Sequence, residues 1–142
     1  MISVSYQKTI QATPEQLFTT LIDHANLHQF FNAKFDVVKE QNSNEPKGGK
    51  GCVRQVSILG VSFLEEIIAA TPDEIRYRVI NDFPVKHHLG VISFQAQHHA
   101  TTVNYTIECQ SPWYLPSFVL RKLLSNDIRK CLTKLGAMYD LR

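Results

Sequence analysis

Residues 115–141 read LPSFVLRKLLSNDIRKCLTKLGAMYDL and carry the longest helical pattern of the chain. Apolar residues recur there at intervals of three and four, which is the period of one face of an α-helix. The apolar arc consists of Leu120, Leu124, Ile128, Cys131, Leu132, Leu135, Met138 and Tyr139. The opposite side consists of Lys122, Asn126, Arg129, Lys130 and Thr133. A stripe this wide predicts a long C-terminal helix that is buried against a β-sheet.

Most of the chain before this helix alternates between apolar and polar residues, as a strand with one buried face does. We predict strands at residues 2–10, 34–41, 52–59, 61–70, 74–82, 86–97 and 101–110. Three of the connections are short enough for hairpin turns, namely Leu59-Gly60-Val61, Thr71-Pro72-Asp73 and His98-His99-Ala100. Neighbouring strands are therefore expected to be antiparallel.

Two short helices are predicted between the first and second strands. Thr13-Pro14-Glu15-Gln16 offers an N-cap hydroxyl, a proline at the first helical position and a glutamine that can close a capping box. The stripe of this helix is Leu17, Phe18, Leu21 and Ile22. The sequence HANLHQFF at 24–31 predicts a second helix whose Leu27, Phe30 and Phe31 point inward.

The glycine-rich stretch PKGGKG at 46–51 invites comparison with a phosphate-binding loop. A P-loop requires Lys-Ser/Thr running into a helix, whereas Lys50 is followed by Gly51-Cys52 and then by the strand-like VRQVSIL. The pattern instead predicts an exposed turn in which glycine supplies positive φ and lysine stays in water. We expect no phosphate or nucleotide to bind there.

Composition restricts the class of protein. The chain has 142 residues, of which 44% are hydrophobic and 20% charged, and this is typical of one globular domain spanning 1–142. A formal charge of +2 does not favour a nucleic-acid partner. Cys52, Cys109 and Cys131 lack any Cys-x-x-Cys pairing, so we expect free thiols in the cytoplasm. No secretion signal or membrane-length apolar run is found, so stable membrane insertion is not expected.

Four segments together resemble a known superfamily. The first, TIQATPEQLFTTLIDHANLHQFF at 9–31, resembles its opening strand and the two helices that follow, and GKGCVRQV at 49–56 resembles its glycine-led third strand. FLEEIIAATPDEIRYRV at 63–79 and RKLLSNDIRKCLTKLGAMY at 121–139 resemble a later strand pair and the final helix. In this order they resemble the START-like, or SRPBCC, superfamily of birch-pollen-allergen-like proteins. The similarity is closest to its polyketide cyclase/dehydrase and lipid-transport family.

The resemblance implies an α+β helix-grip fold. A curved, seven-stranded antiparallel sheet would wrap around the long C-terminal helix, with two short helices after the first strand. It also implies an elongated cavity between the sheet and that helix. Members bind small hydrophobic molecules such as lipids, sterols, quinones or polyketides, and a minority are cyclases or aromatases. No cofactor is expected, and the resemblance leaves the ligand and any protein partner open.

Alternation along the strands indicates which side chains face this cavity. The expected ligand-binding residues are Arg54, Phe63, Glu65, Tyr77, His88, Phe94, Tyr105, Leu124 and Ile128. Arg54 could bind an anionic ligand head, and the two tyrosines could orient a carbonyl or hydroxyl. For Glu65 three alternatives remain: a ligand anchor or acid–base group, a structural partner of Arg54 or Arg76, or an outward position if the strand has the opposite register.

Histidines and nucleophiles give weaker signals. His24 and His28 lie four residues apart, as two zinc ligands on a helix can, but no Glu follows the first as in His-Glu-x-x-His. The pairs His87-His88 and His98-His99 lie on extended chain and point to opposite faces. No nucleophile motif is found, so neither a metal site nor a catalytic residue is predicted.

The expected function is binding or transport of a small hydrophobic or amphipathic ligand in the cavity. One alternative is a polyketide cyclase- or dehydratase-like enzyme, which would need two or more titratable groups converging inside. A second is a protein–protein interaction module that uses Trp113-Tyr114-Leu115-Pro116 as an exposed patch.

Overall fold

The computed structural model describes residues 1–140. Within them the strands are β1 Ile2–Ile10, β2 Lys34–Lys39, β3 Val53–Ile58, β4 Val61–Ala70, β5 Glu74–Val79, β6 Lys86–Gln97 and β7 Ala100–Gln110. The helices are α1 Pro14–Leu21 and α2 Ser117–Asp140, with short 3₁₀ helices at His24–Gln29 and Ile80–Asp82. The predicted last residue of the C-terminal helix, Leu141, lies outside the described residues.

The strands of residues 1–140 form one seven-stranded antiparallel sheet in the order β1-β7-β6-β5-β4-β3-β2. Because β1 and β2 lie at opposite edges, α1 and the first 3₁₀ helix carry the chain across the sheet. Register shifts interrupt three pairings of the sheet, β2–β3, β4–β5 and β6–β7, and such bulges bend a sheet. The helix-grip architecture expected from the sequence is confirmed.

Helix α1 begins as its sequence predicts. The Thr13 Oγ1 accepts from the Gln16 backbone N–H at 3.1 Å, and the Gln16 Oε1 accepts from the Thr13 N–H at 2.8 Å. These reciprocal bonds satisfy two donors that the first turn would otherwise leave unpaired. The Thr20 hydroxyl is hydrogen-bonded to the Tyr139 hydroxyl, which ties α1 to the end of α2.

Helix α2 buries the stripe that the sequence predicts. Its buried residues are Leu120, Ile128, Cys131, Leu132, Leu135, Gly136 and Tyr139. Leu124 is half-buried, and Met138 is 41% exposed, so the prediction that Met138 faces inward is wrong. Met138 lies at the margin of the apolar arc, where the side chain can turn towards water.

Two strand predictions require correction. Strand β5 ends at Val79 rather than 82, because Asn81 and Asp82 adopt positive φ values of 66° and 52° and turn the chain. On β4 the residues Glu65 and Ile67 face inward, which settles the register of that strand. Ala69 does not follow them as expected, since a register shift between Ile67 and Ala69 brings Ala70 into the core instead.

The glycine turn is less exposed than the sequence suggests. Gly48 and Gly51 have the expected positive φ, 82° and 92°, and Lys47 and Lys50 are exposed. Gly48, Gly49 and Gly51 themselves are buried, so the prediction of an exposed loop is wrong for the glycines. A Cβ on Gly48 would lie 2.3 Å from the Ile22 carbonyl oxygen, so this backbone packs directly against the chain that follows α1.

Candidate ligand-binding site

A buried ion pair joins β3 and β4. Arg54 and Glu65 lie directly opposite each other in the ladder, on the core face, and are only 5% and 7% exposed. The Arg54 Nε and Nη2 both donate to Glu65 Oε1, at 2.9 and 2.8 Å. Arg76 is not the partner of Glu65, because it pairs with Glu74 at 2.8 Å. Among the alternatives for Glu65, pairing with Arg54 is confirmed.

His24 extends this pair to the glycine turn. The Arg54 Nη1 donates to His24 Nδ1 at 3.1 Å, and His24 Nε2 donates to the Gly48 carbonyl at 2.8 Å. Burial, followed by the charge of Arg54, lowers the pKa of His24 to about 4. The imidazole is therefore neutral at pH 7, with its proton on Nε2.

The two histidines considered as zinc ligands are separated. His24 is buried in the hydrogen bonds just described, whereas His28 is exposed and donates from Nδ1 to the Ala25 carbonyl at 3.2 Å. Across residues 1–140, no group of three or more His, Cys, Asp or Glu residues is placed to hold a metal ion.

Aromatic rings surround the Arg54 guanidinium. Its central carbon lies 5.1 Å from the Phe35 ring centroid and 4.9 Å from that of Tyr77, within the range of cation–π attraction. Phe31 packs edge-on against both Phe35, at 5.7 Å, and Tyr105, at 6.4 Å. The charged network is thus enclosed by aromatic surface.

Two tyrosines meet in the middle of the core. The hydroxyls of Tyr77 and Tyr105 are hydrogen-bonded to each other, and the rings are 5% and 1% exposed. Burial raises the pKa of both phenols, and the charge of Glu65 raises that of Tyr77 further. Both therefore stay protonated at neutral pH. Gly90 makes room for the Tyr77 ring, because a Cβ there would lie 2.3 Å from Tyr77 Cζ.

His88 completes this group of residues from β6. Its Nδ1 accepts from the Val79 backbone N–H at 3.2 Å, and its ring lies 5.4 Å from that of Tyr77. The side chain is half-buried, and burial lowers the pKa of the imidazole. Val79 is also the residue opposite Glu65 in the β4–β5 ladder. Glu65 and His88 therefore lie on either side of one strand position.

The other expected ligand-binding residues are apolar and belong to the hydrophobic core or pack against it. Phe94 and Ile128 are buried at 6% and 1% exposure, whereas Phe63 and Leu124 are half-buried. The Phe94 N–H donates to the Asp73 carbonyl at 2.8 Å, so Phe94 lies towards the β4–β5 turn. The structure joins Arg54, Glu65, Tyr77, His88 and Tyr105 through hydrogen bonds and ring contacts. No hydrogen bond or ring contact joins the four apolar residues to these five.

Sequence reasoning missed two members of the cluster. The sequence indicates His24 only as a possible zinc ligand, and it assigns no role to Phe35. One usable signal was the alternation of Phe35 with the polar residues of β2, which predicts an inward aromatic ring. For His24 no local signal exists, since its partners are 24 and 30 residues away.

An open pocket of about 560 Å³ lies next to the cluster, on the outer side of two of its aromatic rings. It lies between the first 3₁₀ helix, β2 and the β3–β4 turn, and Phe31 and Phe35 form part of its wall. Since these rings also contact Tyr105 and Arg54, they separate the pocket from the buried polar residues.

A second groove, of about 480 Å³, lies between the β5–β6 and β7–α2 connections. Phe83, Trp113 and Tyr114 line it, and Trp113 is 96% exposed. The predicted aromatic patch is thus on the surface. None of the helices in residues 1–140 has the length and apolar character needed to span a bilayer.

Comparison with known proteins shows which family and which solved structures this chain is similar to. The family model described as polyketide cyclase / dehydrase and lipid transport matches residues 1–139. A START superfamily protein from Mycobacterium smegmatis is similar in structure, with a TM-score of 0.79, 14% identity, and coverage of 98% of this chain and 97% of that one. The protein XoxI from Bacillus cereus has a TM-score of 0.74 and 16% identity, with coverage of 98% and 96%. At these identities the structures establish the fold alone. No curated protein sequence matches the chain.

Proposed function

Because the chain belongs to the polyketide cyclase / dehydrase and lipid transport family, we propose that it binds a small hydrophobic or amphipathic molecule between its sheet and α2. The proposed ligand is a lipid, a quinone or a polyketide-like compound. The observation that carries the proposal is the group of polar side chains within the apolar interior, namely Arg54, Glu65, Tyr77 and Tyr105. Few, fixed polar groups among apolar walls are typical of small-molecule sites.

The proposed contacts divide into apolar walls and orienting groups. Phe63, Phe94, Leu124 and Ile128 would supply apolar area, at roughly 25 cal/mol per Å² removed from water. Glu65, Tyr77 and Tyr105 would fix the orientation of the ligand, and Arg54 would hold Glu65 in place. As part of the same proposal, the protein works in the cytoplasm, which is supported by three cysteines that are buried and unpaired.

The proposed entry route is the 560 Å³ pocket beside Phe31 and Phe35. Both rings are half-buried, with one side on the pocket and the other on the core. Rotation of these side chains would connect the pocket to Tyr105 and Arg54. An apolar molecule could then reach the interior without strand separation.

A neutral solvatochromic dye such as Nile red tests the proposal. Leu124→Trp adds volume at a half-buried position of α2 and should weaken dye binding at least fivefold, as overfilling a packed interior excludes a ligand. Lys122→Trp, on the exposed side of the same helix, is the matched control and should bind the dye as the wild type does. A folded Leu124→Trp variant with unchanged dye affinity would exclude this site.

A cyclase- or dehydratase-like enzyme is the second candidate, because Glu65, Tyr77, Tyr105 and His88 are titratable groups that converge in the interior. The enzyme is less well supported than the carrier. The raised pKa values of the tyrosines make them poor acids at neutral pH, and the charge of Glu65 is already balanced by Arg54. Turnover of a polyketide-type substrate that is abolished in Glu65→Gln would reverse this preference.

A further inference from the structure

Arg54 has little left to offer a ligand. Its Nε, Nη1 and Nη2 all donate to protein acceptors, and its faces are turned towards the rings of Phe35 and Tyr77. Its positive charge is balanced by Glu65 at 2.8 Å. The expectation that Arg54 binds an anionic ligand head therefore finds no support in this geometry, because an anion would enter a site with no net positive charge.

Glu65 has a spare acceptor. Both bonds from Arg54 end on Oε1, and Oε2 accepts no hydrogen bond from any residue in the range 1–140. The Glu65 side chain is 9% exposed, and no fully buried side-chain oxygen or nitrogen in residues 1–140 lacks a hydrogen-bond partner, so Oε2 lies where water can reach it. Arg54, which binds this carboxylate, lies over the Tyr77 ring, and the Tyr77 ring contacts His88, so Glu65, Tyr77 and His88 belong to one cluster. A ligand that displaces water from this oxygen loses affinity unless it supplies a donor in place of that water.

His88 has a spare donor close by. Because Nδ1 accepts the Val79 N–H, the proton of the neutral ring is on Nε2. Within residues 1–140, Nε2–H has no hydrogen-bond acceptor. Since Val79 lies opposite Glu65 and is bonded to His88, the spare donor and the spare acceptor flank the same strand position.

We propose that the ligand ends in a neutral hydroxyl, an alcohol or a phenol, which donates to Glu65 Oε2 and accepts from His88 Nε2–H. This inference rests on the proposed function. A hydroxyl is a donor and an acceptor on one atom, so it satisfies both groups at once. An ether can only accept, and it would leave the Glu65 oxygen without a donor. A carboxylate would be repelled by Glu65 and would bring an unpaired charge into the apolar interior.

Three matched probes separate these cases in the wild-type protein: 2-naphthol, 2-methoxynaphthalene and 2-naphthoate, titrated calorimetrically at pH 7 alongside Nile red. We expect 2-naphthol to bind at least about tenfold more tightly than either of the others, as a hydrogen bond to a charged acceptor predicts. Equal affinities for the three, or tightest binding of 2-naphthoate, would overturn the hydroxyl proposal while leaving the carrier function intact. If neither the probes nor Nile red bind, both proposals fail.

Glu65→Gln tests the same contact from the protein side. The amide keeps an oxygen for Arg54 but replaces the spare acceptor by a donor, and it leaves the Arg54 charge unbalanced. The preference for 2-naphthol over 2-methoxynaphthalene should fall at least fivefold, and 2-naphthoate should bind more tightly than in the wild type. Retention of the wild-type preference would contradict the proposal.

Glu66→Gln is the matched control. Glu66 is the next residue of β4 and pairs with Arg78 on the outer face of the sheet, at 2.8 Å. This variant loses the same type of carboxylate–arginine pair but should show wild-type probe preferences. The wild-type probe series decides the proposal by itself if Glu65→Gln does not fold.

Discussion

His24 shows how burial sets the chemistry of a single residue. Its pKa is about 4 in the folded protein, compared with 6.5 for an ordinary histidine, because burial and then Arg54 oppose its charge. Between these pH values the unfolded chain binds a proton that the folded chain does not, so acid favours unfolding. The stability contributed by neutral His24 is complete above about pH 6.5 and is lost as the pH falls towards 4, by up to about 3 kcal/mol.

Replacing His24 by glutamine should flatten this pH dependence. The amide can accept from Arg54 and donate to Gly48 but does not titrate. We expect the loss of unfolding free energy between pH 7 and 4.5 to be about 2 kcal/mol smaller in His24→Gln than in the wild type, measured by urea denaturation. His28→Gln, at an exposed position, should follow the wild-type curve. A His24→Gln curve parallel to the wild type would contradict this account of His24.

The site was partly predictable from the sequence at this scale. Alternation alone placed Tyr77, Tyr105 and Arg54 on the inner face, where the structure has them. It could not show that both Arg54 donors meet one oxygen of Glu65, because that depends on side-chain rotamers. It could not connect Arg54 to His24 either, since that contact requires the chain to cross the sheet.

At the scale of elements, the glycine turn has a structural role that alternation cannot reveal. Its backbone supplies the Gly48 carbonyl to His24, while the Gly51 N–H donates to the Ile67 carbonyl at 2.8 Å. The turn therefore ties β4 to the segment after α1. Composition predicted the positive φ values correctly but not the burial, because packing against Ile22 is a tertiary contact.

Gly48→Ala and Gly60→Ala form a matched pair for this role. Both glycines have a φ of 82°, so both substitutions incur the same backbone strain, about 1 kcal/mol. A Cβ on Gly60 meets nothing within 4 Å, whereas one on Gly48 would lie 2.3 Å from the Ile22 carbonyl. We expect Gly48→Ala to lose at least about 2 kcal/mol more unfolding free energy than Gly60→Ala in urea denaturation. Equal losses would show that the turn can move away without cost.

Some strand boundaries are set by local sequence and can be predicted, whereas others depend on tertiary structure and cannot. The hairpin turns at Gly60, Thr71–Asp73 and His98-His99 were predictable, since short turn sequences separate alternating runs. The end of β5 and the bulge before Ala69 were not, because positive φ at Asn81 and a register shift do not disturb the pattern of apolar residues.

For the whole molecule, the central relationship is between a bent sheet and the helix it encloses. The apolar stripe of α2 packs in the hydrophobic core, and the polar cluster from β3–β7 is buried in the same core. Outside, Phe83, Trp113 and Tyr114 form an exposed aromatic patch around a separate groove. An internal carrier and a surface interaction module would therefore respond to a ligand at different places.

Amide chemical-shift mapping during titration with 2-naphthol distinguishes these places most directly. Binding within the sheet–helix grip predicts saturable shifts at the amides of Glu65, Tyr77, His88 and Leu124, and much smaller shifts at Trp113 and Tyr114. Shifts confined to Trp113, Tyr114 and their neighbours, or no saturable shift at all, would contradict the claim that this protein holds a small molecule in its interior.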